Sequence, residues 1–145
     1  MFSRKNFMKK INAIDSFEMG GLVLGFKQSV IFPLVAECFV TDSDFIIMND
    51  VKKEFGRIPR NSLSSIHLED YSKLTERLTD TGVLIMGEFS LAARQKEQVD
   101  DFYLSIYWSS GNGEEEAIFN FTGESGDLKA RETESALNKY AIKNI

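Results

Sequence analysis

Side chains able to do acid–base, nucleophilic or metal chemistry are scarce and scattered here. The chain has one histidine, His67, and one cysteine, Cys38, in 145 residues. His67 sits in "SSIHLED" with Glu69 and Asp70 beside it. A catalytic imidazole needs a nucleophile and an orienting acid within hydrogen-bond reach. The acids are present, but nothing nearby is distinctive as a nucleophile. Ile66 and Leu68 alternate with His67 and Glu69, so the imidazole belongs on the outer, solvated face of a strand. Cys38 lies in "LVAECFV" and reads as a small buried apolar residue. One thiol makes neither an intrachain disulfide nor a cysteine zinc cluster.

Other chemical motifs fail on spacing. In "GGLVLGFK", Gly20, Gly25 and Lys27 do not match a phosphate loop, and no GxGxxG opens a helix. "DSD" at 42–44 begins like a calcium loop, but Ile47 and Lys53 stand where that loop needs glycine and glutamate. "GEEEA" places three carboxylates at a loop edge, where they are solvated and discourage sheet-edge association. The expectation is a noncatalytic protein with no cofactor and no bound metal.

Two groups of residues suit binding. Lys52, Lys53, Arg57 and Arg60 cluster around one hairpin arm and suit a phosphate-bearing headgroup or an acidic peptide; solvation of a strand end is the plainer alternative. At the N-terminus, Phe2, Arg4, Lys5, Phe7, Lys9 and Lys10 suit contact with a membrane surface or a partner. The formal net charge of −5 opposes long-range attraction to nucleic acid or an anionic bilayer by the whole molecule. Aromatic residues are not interleaved with a basic stripe, so no nucleic-acid partner is expected. The N-terminal segment lacks the apolar core of a signal peptide, since Asn12, Asp15 and Glu18 interrupt it. No run approaches the roughly 18 apolar residues of a membrane span. Both features point to the cytoplasm.

The elements that must carry these residues are mostly strands. Residues 3–14 read as a short amphipathic helix, with Phe7, Ile11 and Ile14 on one stripe and Ser3 as its cap. Period-two alternation then runs to about residue 122. Leu22, Leu24 and Phe26 share a face, as do Leu34, Ala36, Cys38 and Val40. "DFIIMND" and "KKEFGRI" form a hairpin, and Pro59 ends its second arm. "GVLIMGEFSLAA" is the longest regular strand, bent at Gly87. In "DFYLSIYW", Phe102, Leu104, Ile106 and Trp108 face inward, with Tyr103, Ser105 and Tyr107 outward. "SSGNGE" turns the chain into "EAIFNFT". The tail is helical, with Asp127 as a cap and Ala130, Thr133, Leu137, Tyr140 and Ala141 on one stripe. The size suits one domain, able to bury about 70% of its unfolded surface.

From about residue 30, seven strands followed by one amphipathic helix resemble the pleckstrin-homology-like domains of bacteria, relatives in shape of GRAM domains. "FVTDSDFIIM" is similar to the threonine-aspartate turn before a strand in that family, and "IPRNSLSSIHLED" to its lead into the fourth strand. The resemblance implies a mainly β fold: a barrel of two roughly orthogonal antiparallel sheets, capped by the C-terminal helix. Residues 29–145 would form this domain. Residues 1–28, an amphipathic helix plus a strand, would be an N-terminal extension of the same unit. The family's headgroup-binding members are basic around the first hairpin, whereas Asp42, Asp44 and Asp50 occupy that region here.

The resulting expectation is a binding or scaffold module that recognises a protein partner or self-associates into a homo-oligomer. Peripheral association with anionic lipid is one alternative. A barrel for a small apolar ligand is another, and would need a cavity of roughly 300 Å³ or more.

Overall fold

The computed structural model describes residues 4–81 and 101–143, except for the side chains at 28–32 and 78–81. Its described elements are α1 (Arg4–Lys10), β1 (Asp15–Gly25), β2 (Gln28–Val40), β3 (Asp44–Met48), β4 (Glu54–Pro59), β5 (Leu63–Asp70), α2 (Tyr71–Thr81), β6 (Phe102–Ser110), β7 (Gly113–Phe121) and α3 (Gly126–Tyr140). The fold is mainly β. Seven antiparallel strands form one sheet in the order β4-β3-β2-β1-β7-β6-β5. Among the described residues the sheet does not close on itself, and β4 and β5 are its outermost strands.

The seven strands are not the seven read from the sequence. The strand from Asp15 to Gly25 stands in the middle of the sheet, paired with β2 on one side and β7 on the other. The segment "GVLIMGEFSLAA" lies outside the described residues.

One core runs through the inner face. Ala36, Cys38 and Val40 of β2, Phe45 and Ile47 of β3, Leu104, Ile106 and Trp108 of β6, and Ala117 and Phe119 of β7 belong to a single packed cluster. Strands from both ends of the sheet share it, so the sheet wraps around one interior. Ala130 and Leu137 of α3 complete that cluster, as the helical stripe predicts.

The phase change near Gln28 has a structural cause. A register shift between Leu22 and Leu24 leaves Leu22 in the main core and turns Val23 to the opposite face. Phe26 is not on the strand. It and Lys27 make the β1–β2 turn with φ of 53° and 65°, a left-handed conformation costly for bulky residues. The Phe26 ring stacks on Trp108 with centroids 5.2 Å apart. It also lies where a side chain at Gly56 would stand, which suits a glycine there.

The other sheet face is partly covered. α1 lays Phe7 against Phe39, Ile46 and Met48. The helix ends at Lys10 because Asn12 takes a φ of 60° and Ile14 donates its backbone N–H to the Val40 carbonyl as an extended residue; Ile14 is exposed. The second cover is α2, which the period-two reading passed over. Tyr71 and Leu74 of α2 pack on Val23, Tyr103 and Ile118. Tyr103 and Ser105 therefore face away from the core yet are fully buried, contrary to a solvated outer face. Asp70 Oδ1 accepts the Lys73 backbone N–H at 2.8 Å and starts this helix. At α3 the residue before the first turn is Ser125, and Asp127 lies inside the helix, bonded to Arg131.

Candidate functional site

The first half of β1 has a neighbour on one side only. β7 pairs with β1 from Gly21 onward, so Asp15 to Glu18 bond only to β2. α3 lies along the open side. Thr133 Oγ1 donates to the Glu18 carbonyl at 3.0 Å, and the Tyr140 hydroxyl donates to Asp15 Oδ2 at 2.6 Å. Arg60 secures the far end of α3 by donating to the carbonyls of Tyr140, Thr41 and Asp42 at 2.7, 2.9 and 3.0 Å.

Where β1 shifts register, an open groove of about 800 Å³ runs over the outer face of β1–β2. Gly20 and Gly21 lie along it, Pro33 and Val35 come from β2, and Lys129, Glu132 and Thr133 from α3; Arg4 of α1 reaches its other side. A Cβ on Gly20 would stand 2.4 Å from the Asn120 carbonyl oxygen, and its φ is 71°. That position accepts only glycine without rearrangement. Val35 is a large apolar residue 61% exposed in this groove. Glu18 and Glu37 are directly opposite across β1–β2, a repulsive like-charge pair. Glu37 is answered by Arg4 and by Lys52 Nζ at 2.6 Å. Glu18 is exposed and has no ion-pair partner among the described residues.

The two basic groups are brought to one side of the sheet. Arg4 bonds Ser16 and Glu37, and Lys52 also lies over the Phe39 ring that Phe7 packs against. Lys5, Lys9, Lys10 and Lys53 are exposed, and Phe2 lies outside the described residues. Arg57 bonds Glu54 at 3.0 Å and lies 3.9 Å from Asp44. It shares with Lys10 and the 41–44 turn a depression of about 460 Å³. Arg60 does not join them, since its guanidinium is committed to the carbonyls at the end of α3. Residues 1–62 carry nine Lys+Arg against seven Asp+Glu, and residues 63–145 eight against fifteen. The charge is therefore uneven along the sequence, slightly positive over residues 1–62 and negative over residues 63–145.

A separate polar cluster joins α2 to the sheet. Arg77 donates to both carboxylate oxygens of Glu69, to Glu116 Oε2 at 2.9 Å and to Ser105 Oγ at 2.9 Å. Ser105 Oγ in turn donates to Glu69 Oε1 at 3.0 Å. Burial works against the Glu69 charge, but the Arg77 hydrogen bonds and charge, with the Ser105 hydroxyl, hold its carboxyl below the usual range. Burial, with the neighbouring Glu116 carboxylate, raises the Tyr107 phenol. Ser105 is fully buried and its proton is taken by Glu69, so it presents no nucleophile. His67 is exposed, on the outermost strand β5, and its ring meets Tyr107 edge-on at 5.6 Å. Burial also raises the Cys38 thiol well above its ordinary range, keeping it protonated. Of the three glutamates of "GEEEA", Glu114 is exposed, Glu115 bonds Ser110 and Glu116 belongs to Arg77.

Sequence reasoning found the basic groups but not the groove, which needs a register shift and a helix remote in sequence. The visible trace was the Gly20-Gly21 pair inside a strand. Among the described residues no group of three or more His, Cys, Asp or Glu is placed to hold a metal, and no helix is long and apolar enough to cross a membrane. Compared with models of known protein families, with curated proteins and with solved structures, the chain matches none.

Proposed function

We propose that this chain is a noncatalytic binding module of pleckstrin-homology-like architecture. It recognises a segment of a protein partner on the outer face of β1–β2, between α1 and α3. The sheet order, the meeting of both sheet ends on one core and the C-terminal helix support the architecture. The open groove carries the functional reading. It is large enough for several side chains, and it exposes Val35. The polar clusters elsewhere bond among themselves, which supports a role in holding structure rather than in reaction.

A photo-reactive amino acid at Val35 tests this in extract of the source cell, with the same group at Val51, the exposed residue of the β3–β4 turn, as control. A discrete set of covalent protein adducts at position 35 and not at 51 is expected. Equal labelling at both positions, or none at 35, contradicts the reading.

A second reading rests on the shared face of α1 and the β3–β4 hairpin, whose lysines suit an anionic lipid surface. Because Phe7 is buried on the sheet, contact through the docked helix would be electrostatic and not insertive. Cosedimentation with anionic vesicles at low salt, absent with neutral ones, is its signature.

A further inference from the structure

The charges along the groove are not all answered, and this sets what can lie in it. Resting on the binding-module reading above, we infer that the groove selects an extended segment with one Lys or Arg two positions from a small aliphatic residue, the cation meeting Glu18 and the aliphatic side chain lying on Val35. Glu37 already has two cations, Arg4 and Lys52. Glu132 and Lys129 are three residues apart on α3 and opposite in charge, so that wall of the groove is close to neutral without a direct ion pair between them. Glu18 remains: exposed, opposite another carboxylate, and without a cation among the described residues. A positive group there relieves the cross-strand repulsion and gains a partner.

The apolar requirement comes from the neighbouring strand. Val35 is two residues from Glu37, so it lies on the same face of β2, roughly 7 Å along the strand. Residues i and i+2 of an extended peptide span a similar distance and point the same way, which lets one segment reach Glu18 and cover Val35 together. An acidic segment would instead meet Glu18 and Glu132 with its own charge, and the overall net charge of −5 would disfavour its approach.

The test uses two synthetic peptides, Ac-Gly-Val-Ser-Arg-Gly-NH2 and Ac-Gly-Val-Ser-Glu-Gly-NH2, titrated into the full-length ¹⁵N-labelled protein up to about 1 mM, near the weak end of specific recognition. The arginine peptide is expected to shift the amides of Gly20, Gly21 and Val35. Glu18→Gln, an exposed change that leaves the fold intact, should weaken it about fivefold, as for one exposed ion pair. Unchanged binding in Glu18→Gln, equal shifts with the glutamate peptide, or shifts confined to other surfaces would overturn the charge selection while leaving a binding module standing. No shift with either peptide also overturns it. The module reading is tested separately, by the photo-reactive groups at Val35 and Val51.

Discussion

The Thr133 hydroxyl gives its proton to the Glu18 carbonyl, 3.0 Å away and 115 residues earlier in the chain. By this bond α3 replaces the strand that β1 lacks on its open side. The helix thus closes the sheet edge, packs Ala130 and Leu137 into the core and forms one wall of the groove. Replacing Thr133 with valine keeps the shape and removes the donor, leaving a backbone acceptor without its partner. The expected loss is about 1–2 kcal/mol in urea unfolding, with Thr133→Ser close to wild type.

Arg77 is the single cation shared by Glu69 and Glu116. Arg77→Ala should cost about 2–3 kcal/mol, because two carboxylates and a buried hydroxyl lose their common donor. Arg77→Lys should recover only part, since a compact ammonium lacks the planar fork that holds both Glu69 oxygens while reaching Glu116 and Ser105. Chemical denaturation of both variants provides the measurement.

The depressed Glu69 carboxyl makes stability depend on pH with a definite sign. Its folded value lies below the unfolded one, so its contribution is full above about pH 4.3 and is lost as pH falls through the native value. Acid unfolding of wild type should therefore be steeper than that of Glu69→Gln. Tyr107 has the opposite form. Its raised phenol contributes below about pH 10 and loses that contribution as pH rises further. Absorbance titration should show two late-ionising tyrosines, Tyr107 and Tyr140, whose hydroxyl is held by the Asp15 carboxylate, and Tyr107→Phe should remove one of them.

Phe26 holds a left-handed backbone with its ring stacked on Trp108. Phe26→Ala loses that contact and retains the backbone cost, for a net destabilisation of about 2 kcal/mol. Trp108 is the only tryptophan and is 5% exposed, so acrylamide quenching of its fluorescence should rise in the variant.

Much of this architecture was legible because it depends on alternation. Ala36, Cys38, Val40, Leu104, Ile106, Trp108, Ala117 and Phe119 face inward as their spacing dictates, and the α3 stripe is buried where period 3.6 puts it. What escaped depends on neighbours remote in sequence. Tyr103 and Ser105 alternate like surface residues and are buried because α2 lies on them. Leu22 and Val23 are both buried because a register shift breaks the period. α2 itself carried a readable start in Asp70, followed by Tyr71 and Leu74 three residues apart. The groove had no local signature beyond two adjacent glycines, and Arg60, read as a ligand-binding cation, proved to hold the end of α3.

The central claim is that partner recognition belongs to the outer face of β1–β2 beside α3. The most direct measurement is amide hydrogen exchange of the full chain with and without the partner captured through Val35. Slowed exchange confined to Gly20, Gly21, Val35 and the Lys129–Thr133 turn of α3 is the result predicted. Protection falling instead on α1 and Lys52–Arg57, with the groove amides unchanged, would contradict it.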